Sequence, residues 1–282
     1  MLLLAAKLAL APLLILQGSR VRRLATRLPE AAGEREALLG SGSGGGEPLR
    51  LLIVGDSATA GVGAAHQREA LAGRLAERLL ERLPARAAAL RWRLVARCGA
   101  TTADALALLE ADAAAGTAAA FPADVAVLAV GVNDVTGQLP VGRWLQRMEA
   151  IARRLEREHG VRLLVISGLP PMHLFPALPQ PLRWYLGASA RRYDRALRKW
   201  ASRRPRTVFV PLPAMTDPAL MASDGFHPGP PAYRAWADAL AAGIVAAGID
   251  AARAGRSEPA PVGGLSAGGS RADAGGASPP PG

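Results

Sequence analysis

Five short runs, at 49–54, 92–96, 124–130, 162–167 and 207–210, are built mainly from Leu, Val, Ile and Ala. None shows the apolar–polar alternation of a sheet with one wet face, so each reads as a strand buried on both sides. Strands of that kind need cover above and below. Helix-length segments supply it at 67–83, 102–114, 141–158, 187–203 and 230–247, with Pro84, Pro122, Gly160 and Pro205 punctuating their ends. The alternation predicts an α/β chain: a three-layer α/β/α sandwich around a five-stranded parallel sheet, joined by right-handed crossovers. In such a sheet the loops at the carboxyl ends of the strands carry the active site.

The 282 residues suffice for one such body with flanking segments. Residues 1–28 begin with an apolar run, interrupted by Lys7 and Pro12, and end in Arg20, Arg22, Arg23 and Arg27. The run is shorter than the roughly 20 residues that span a bilayer, and it lacks the basic start and small-residue cleavage site of a leader. It reads as an uncleaved N-terminal helix suited to a membrane surface, with a leader, a short anchor or a helix packed on the body as alternatives. The arginines favour a cytoplasmic face, which places the chain in the cytoplasm or on the cytoplasmic side of a membrane, an exported form being the alternative. Residues 29–48, which contain the run GSGSGGGEP, read as a linker. Residues 49–248 form the predicted body. The tail, 249–282, is mostly Gly, Ala, Ser and Pro and buries too little apolar surface to order.

Composition excludes several functions. The formal charge is +11, but the cations are almost all arginine, only Lys7 and Lys199 being lysines, and they are interleaved with Glu, Ala and Leu. That usage reads as the coding bias of a GC-rich bacterial genome. No zinc finger or RNA-binding signature accompanies the densest run, 191–206, so no nucleic-acid partner is expected. One cysteine, Cys98, excludes an internal disulfide framework, and no two of the four histidines have metal-ligand spacing. Neither a metal nor a cofactor is expected. His66 and His159, beside predicted helix ends, read as solvated.

Polar and glycine residues gather after the strands: Gly55-Asp56-Ser57 after the first, Cys98-Gly99-Ala100 after the second, Gly131-Val132-Asn133-Asp134 after the third, and Asp224-Gly225-Phe226-His227 before the last helix. Taken singly, Ser57 reads as a helix cap, Gly99 as a turn glycine, Asn133 and Asp134 as turn or cap residues, and His227 as a loop histidine. Together they make a chemical set. A serine hydroxyl needs a neighbouring base, a histidine near neutral pH supplies one, and a carboxylate three residues before it can hold the imidazole tautomer. For Asp134 the structural reading stands, because the set already has its acid, and Asp56 reads as a loop-ordering residue.

In order and spacing these blocks resemble those of the SGNH hydrolase superfamily, the GDSL-like esterases and lipases, across the whole body. The resemblance implies a flavodoxin-like SGNH hydrolase fold, catalytic residues Ser57, Asp224 and His227, and an oxyanion hole formed by the Ser57 and Gly99 backbone N–H groups and the Asn133 amide. Ala58 stands where that family's first block has leucine. The Gly-x-Ser-x-Gly elbow of α/β-hydrolases is absent, since Thr59 takes the second glycine's place.

Residues 170–184 (PPMHLFPALPQPLRW) follow the fourth strand and are apolar enough to overhang a pocket, with Leu174, Phe175, Leu178 and Trp184 as candidate acyl contacts. The expected activity is hydrolysis of short to medium acyl esters, including lipid esters, through an acyl-enzyme. The alternatives are a carbohydrate O-acetyl esterase or acyltransferase on the same residues, and a non-catalytic membrane-associated binding module.

Overall fold

The computed structural model describes residues 2–40, 47–83, 89–114, 121–213 and 217–248. The whole tail 249–282, and 41–46 of the glycine-rich run, lie outside them. Helix α1 (Leu2–Leu24) is followed by strands β1 (Glu36–Leu39) and β2 (Leu49–Gly55), α2 (Leu71–Leu80), β3 (Leu90–Ala96), α3 (Thr102–Ala114) and β4 (Val125–Ala129). Then come α4 (Val132–Thr136), α5 (Val141–Glu158), β5 (Leu163–Ser167), α6 (Leu182–Ala201), β6 (Thr207–Val210) and α7 (Pro230–Ala246).

The sheet order is β1-β3-β2-β4-β5-β6, parallel except for β1, which pairs antiparallel with β3. The parallel strands thus have the doubly wound order 2-1-3-4-5 of flavodoxin-like sheets. Burial on both faces explains their composition. Leu51, Ile53, Val125, Val127 and Val165 pack against α2 and α7, while Leu52, Val54, Ala126, Leu128 and Ile166 pack against α3, α5 and α6. Local chemistry sets several helix ends. Thr101 and Asp104 form a capping box at the start of α3, with the Asp104 N–H donating to Thr101 Oγ1 at 3.3 Å and the Thr101 N–H to Asp104 Oδ2 at 3.0 Å. Gly160 at φ +67° stops α5 just past its last turn, and Pro230 and Pro231 open α7.

The sheet has six strands rather than five, because part of the predicted linker folds. Ala31 is buried, Ala32 bridges to His66, and Gln67 Nε2 donates to the Ala31 and Ala60 carbonyls at 3.2 and 3.0 Å. In β1 the Glu36 carboxylate pairs with Arg91 and Arg93 on the neighbouring strand. The sequence Glu-Ala-Leu-Leu has neither β-branched nor aromatic residues, so only the exposed edge of β3 reveals it as a strand. His159 also departs from expectation: it is buried, with Nδ1 2.9 Å from the Phe121 carbonyl, because the turn after α5 packs on the core.

Helix α1 lies along α6, where Gln17 clasps the start of that helix. Its Nε2 donates to the Gln180 carbonyl at 2.7 Å, and its Oε1 accepts from the Leu182 N–H at 3.1 Å. Among the described residues no helix is long and apolar enough to cross a membrane.

Candidate active site

The winding of the chain reverses at β2, which has β3 on one side and β4 on the other, so a crevice opens between the loops leaving β2 and β4. Asp56 and Ser57 leave β2 there, and Gly131 to Asp134 leave β4. The first turn is packed tightly: Thr59 Oγ1 donates to the Ala129 carbonyl at 3.1 Å. A Cβ on Gly55 would lie 2.1 Å from Thr59 Oγ1 and 2.5 Å from the Ala129 oxygen, so only glycine can end the strand beneath Ser57.

His227 reaches Ser57 from a tight reversal. Met221 bridges Pro228, the Ala222 N–H donates to the His227 carbonyl at 2.8 Å, and Gly225 turns at φ +69°. This reversal sits against the serine turn at Gly63, where a Cβ would come within 2.3 Å of the Pro228 oxygen. The result is a continuous hydrogen-bonded chain. His227 Nε2 is 2.8 Å from Ser57 Oγ, and His227 Nδ1 is 2.5 Å from Asp224 Oδ2. The other Asp224 oxygen accepts from the Phe226 and His227 N–H groups at 2.9 and 3.0 Å.

The remaining predicted residues converge on the same point. Asn133 Nδ2 donates to the Ala100 carbonyl at 2.9 Å, holding the Gly99 loop beside Ser57. Cys98 N–H donates to Glu30 Oε1 at 2.5 Å, so the folded segment before β1 braces that loop from the other side. Gly99 has φ +77°, a glycine conformation, and a Cβ on it would meet no protein atom within 4 Å. Among the described residues, neither the Ser57 nor the Gly99 backbone N–H has a protein acceptor, although the Ala58, Cys98 and Ala100 N–H groups beside them do. Two unpaired donors thus line the cleft. Asp134 is buried and accepts from the Thr102 N–H and Oγ1 at 2.9 and 2.8 Å, anchoring the start of α3.

Burial and hydrogen bonding balance oppositely at two nearby carboxyls. For Asp224 it opposes ionisation, but the hydrogen bonds from His227 and Phe226 outweigh it and hold the carboxyl below its ordinary range. For Asp56 burial prevails, aided by the charge of Asp134, and pushes the carboxyl up to about 7 against the Ala58 N–H bond and His227. A carboxyl that is easier to protonate when folded stabilises fully below its unfolded value of about 4, and that stabilisation is lost as pH rises through about 7. Asp56→Asn, which retains an acceptor for Ala58, is therefore expected to gain several degrees of Tm over the original chain at alkaline pH and little near pH 4. Thermal melts across that range check it; a Tm difference that is constant with pH rules it out.

Ser57, Gly99, Asn133 and His227 line a cleft of about 590 Å³ whose walls are mainly apolar. Of the predicted acyl contacts, Phe175 and Leu178 line it, and Phe175 stacks edge-on against Phe226 at 6.2 Å. Leu174 and Trp184 do not: the 3₁₀ turn at Met172–Leu174 and the first turn of α6 carry them outward, and both are partly exposed. Sequence reasoning missed Phe226, Leu186 and the inner face of α1 as lining residues. Phe226, flanked by Asp224 and His227 in one tight loop, was the one with a local signal.

The profile of the GDSL-like Lipase/Acylhydrolase family matches residues 53–235, and the chain belongs to that family. A GDSL-like esterase of Mycobacterium tuberculosis (strain ATCC 25618 / H37Rv) is 31% identical over 199 residues, covering 68% of this chain and 60% of that protein. The chain therefore spans about 60% of the length of that curated relative. Among solved structures, one assigned to the lipolytic G-D-S-L family from Desulfitobacterium hafniense DCB-2 aligns with a TM-score of 0.52 at 12% identity, covering 68% of this chain and 98% of that one. The lipase Lip_vut3 from a goat rumen metagenome aligns at 0.51 with 17% identity, covering 71% of this chain and 98% of the other. At such identities the likeness is one of fold.

Proposed function

We propose that the chain is a serine-dependent carboxylic ester hydrolase acting through an acyl-enzyme, with Ser57 as nucleophile, His227 as base and Asp224 as the acid that orients it. The observation that carries this reading is the unbroken Asp224–His227–Ser57 chain of hydrogen bonds, whose Ser57 and His227 line an apolar cleft. Ser57 Oγ attacks the ester carbonyl as its proton passes to His227 Nε2, and Asp224 stabilises the imidazolium through Nδ1. The tetrahedral oxyanion accepts from the unpaired Ser57 and Gly99 N–H groups and from the Asn133 amide. His227 returns the proton to the leaving alkoxide, leaving an acyl ester on Ser57. Water, deprotonated by the same imidazole, then releases the carboxylic acid and restores the serine. Phe175, Leu178 and Phe226 match short to medium acyl chains better than a sugar.

The test is labelling of the purified chain by a fluorophosphonate, together with hydrolysis of p-nitrophenyl esters of increasing chain length. Labelling at Ser57 and hydrolysis of butyrate to octanoate esters are the expected results; a folded chain that neither labels nor hydrolyses any ester overturns the reading. Asn133→Ala should lower kcat by about 10²- to 10³-fold with KM little changed, as loss of one oxyanion donor does. Steady-state kinetics on p-nitrophenyl butyrate decide this, and an effect confined to KM excludes the oxyanion role.

A further inference from the structure

Helix α1 presents apolar side chains all round, an arrangement that belongs to a helix covered on every side. One face is covered. Ala11, Leu14, Gly18 and Val21, spaced three and four apart, form a wall of the cleft that holds Ser57. Away from the cleft the helix is bare: Leu8, on its flank, and Leu13 and Leu16, on the far side, are 70%, 41% and 62% exposed. The charge of the segment has one sign: no acidic residue precedes Glu30, and while Lys7 and Arg22 border the cleft, Arg20, Arg23 and Arg27 are exposed away from it. The Gln17 clasp ties this helix to the start of α6, where Trp184 is also partly exposed, an amphipathic ring of the kind enriched at membrane interfaces.

We infer that the outer face of α1 docks on an anionic phospholipid surface, so that the helix walling the acyl cleft on one side rests on lipid on the other. The leucines supply the buried area and Arg20, Arg23 and Arg27 the attraction to negative headgroups, while the helix, unable to span, lies along the surface. A second copy of the chain is a poorer occupant, because the cations of two such helices would face each other. The inference deepens the hydrolase reading by making acyl esters held in lipid the substrate class; the docking itself does not depend on that reading.

The test is flotation of the full chain with phosphatidylcholine vesicles made with and without phosphatidylglycerol. The chain should float with the anionic vesicles and dissociate in high salt. In the triple variant Leu8→Ser, Leu13→Ser, Leu16→Ser partitioning should fall about tenfold or more. None of the three lines the cleft, so hydrolysis of soluble p-nitrophenyl butyrate should be unchanged while hydrolysis of esters embedded in the vesicles falls in parallel with binding. The inference is overturned if the original chain stays unbound, if the triple variant floats equally, or if light scattering shows a dimer that the variant dissolves without any flotation. Ser57→Ala should float like the original chain. Flotation of a chain that hydrolyses nothing overturns the hydrolase reading alone, and hydrolysis without flotation overturns the docking alone.

Discussion

Ser57→Ala is expected to lower kcat for p-nitrophenyl butyrate by about 10⁴- to 10⁶-fold and to abolish fluorophosphonate labelling, without loss of folding. The size follows from the loss of the covalent route. Without an Oγ, His227 can only activate a water, and that water is not held in line with the carbonyl as the serine is at 2.8 Å from Nε2. The cleft and the donors at Ser57, Gly99 and Asn133 persist, so a residue of about 10³- to 10⁴-fold over water is expected to remain. The Ser57 side chain makes no hydrogen bond except to His227 among the described residues, so removing it should cost little stability. Kinetics and a thermal melt on the same preparation separate the two effects. A variant that keeps more than a tenth of the original kcat sinks the nucleophile assignment.

Asp224→Asn should lower kcat by about 10⁴-fold. The substitution isolates one function because the carboxylate uses its two oxygens differently. Oδ1 accepts from the Phe226 and His227 N–H groups, and an asparagine oxygen can keep both bonds and the loop with them. Oδ2 faces His227 Nδ1, where the amide nitrogen would instead present donors. The imidazole would then have to carry its proton on Nε2, facing Ser57, which is the wrong tautomer for a base. Asp224 has its pKa lowered in the folded chain, so its stabilisation is present above the unfolded value and is lost as pH falls through the lower native one. A loss of activity in Asp224→Asn that is matched by loss of the fold, or a kcat within tenfold of the original, would show that the carboxylate does not orient the histidine.

The alternation of apolar runs and helix-length segments was legible because burial of a parallel strand on both faces leaves almost no polar residue in it. The predicted strand at 207–210 coincides with β6, and the predicted helices at 102–114 and 141–158 coincide with α3 and α5. Less legible was any element whose only reason to form lies far away in the chain. Strand β1 exists because β3 has an unpaired edge, and α4, five residues long, because Asp134 ties it to Thr102. The inner face of α1 was hidden for the same reason: Leu14 and Val21 look no different from Leu13 and Leu16 until α6 and the Gln17 clasp choose which side faces the cleft.

By itself, then, the sequence determined the layered α/β body, the order of its parallel strands' loops, and the residue types gathered after them, because strand burial and turn chemistry are local and leave their pattern in neighbouring residues. Only the tertiary structure decided that His227 Nε2 meets Ser57 Oγ across 170 residues of chain, that the Ser57 and Gly99 N–H groups are left unpaired, and that Phe175 and Leu178 turn inward while Leu174 and Trp184 do not. Those outcomes depend on close approaches between distant segments, such as Gly63 against Pro228 and Gly55 against Ala129, where the space left by a missing Cβ sets the distance at which two loops can meet.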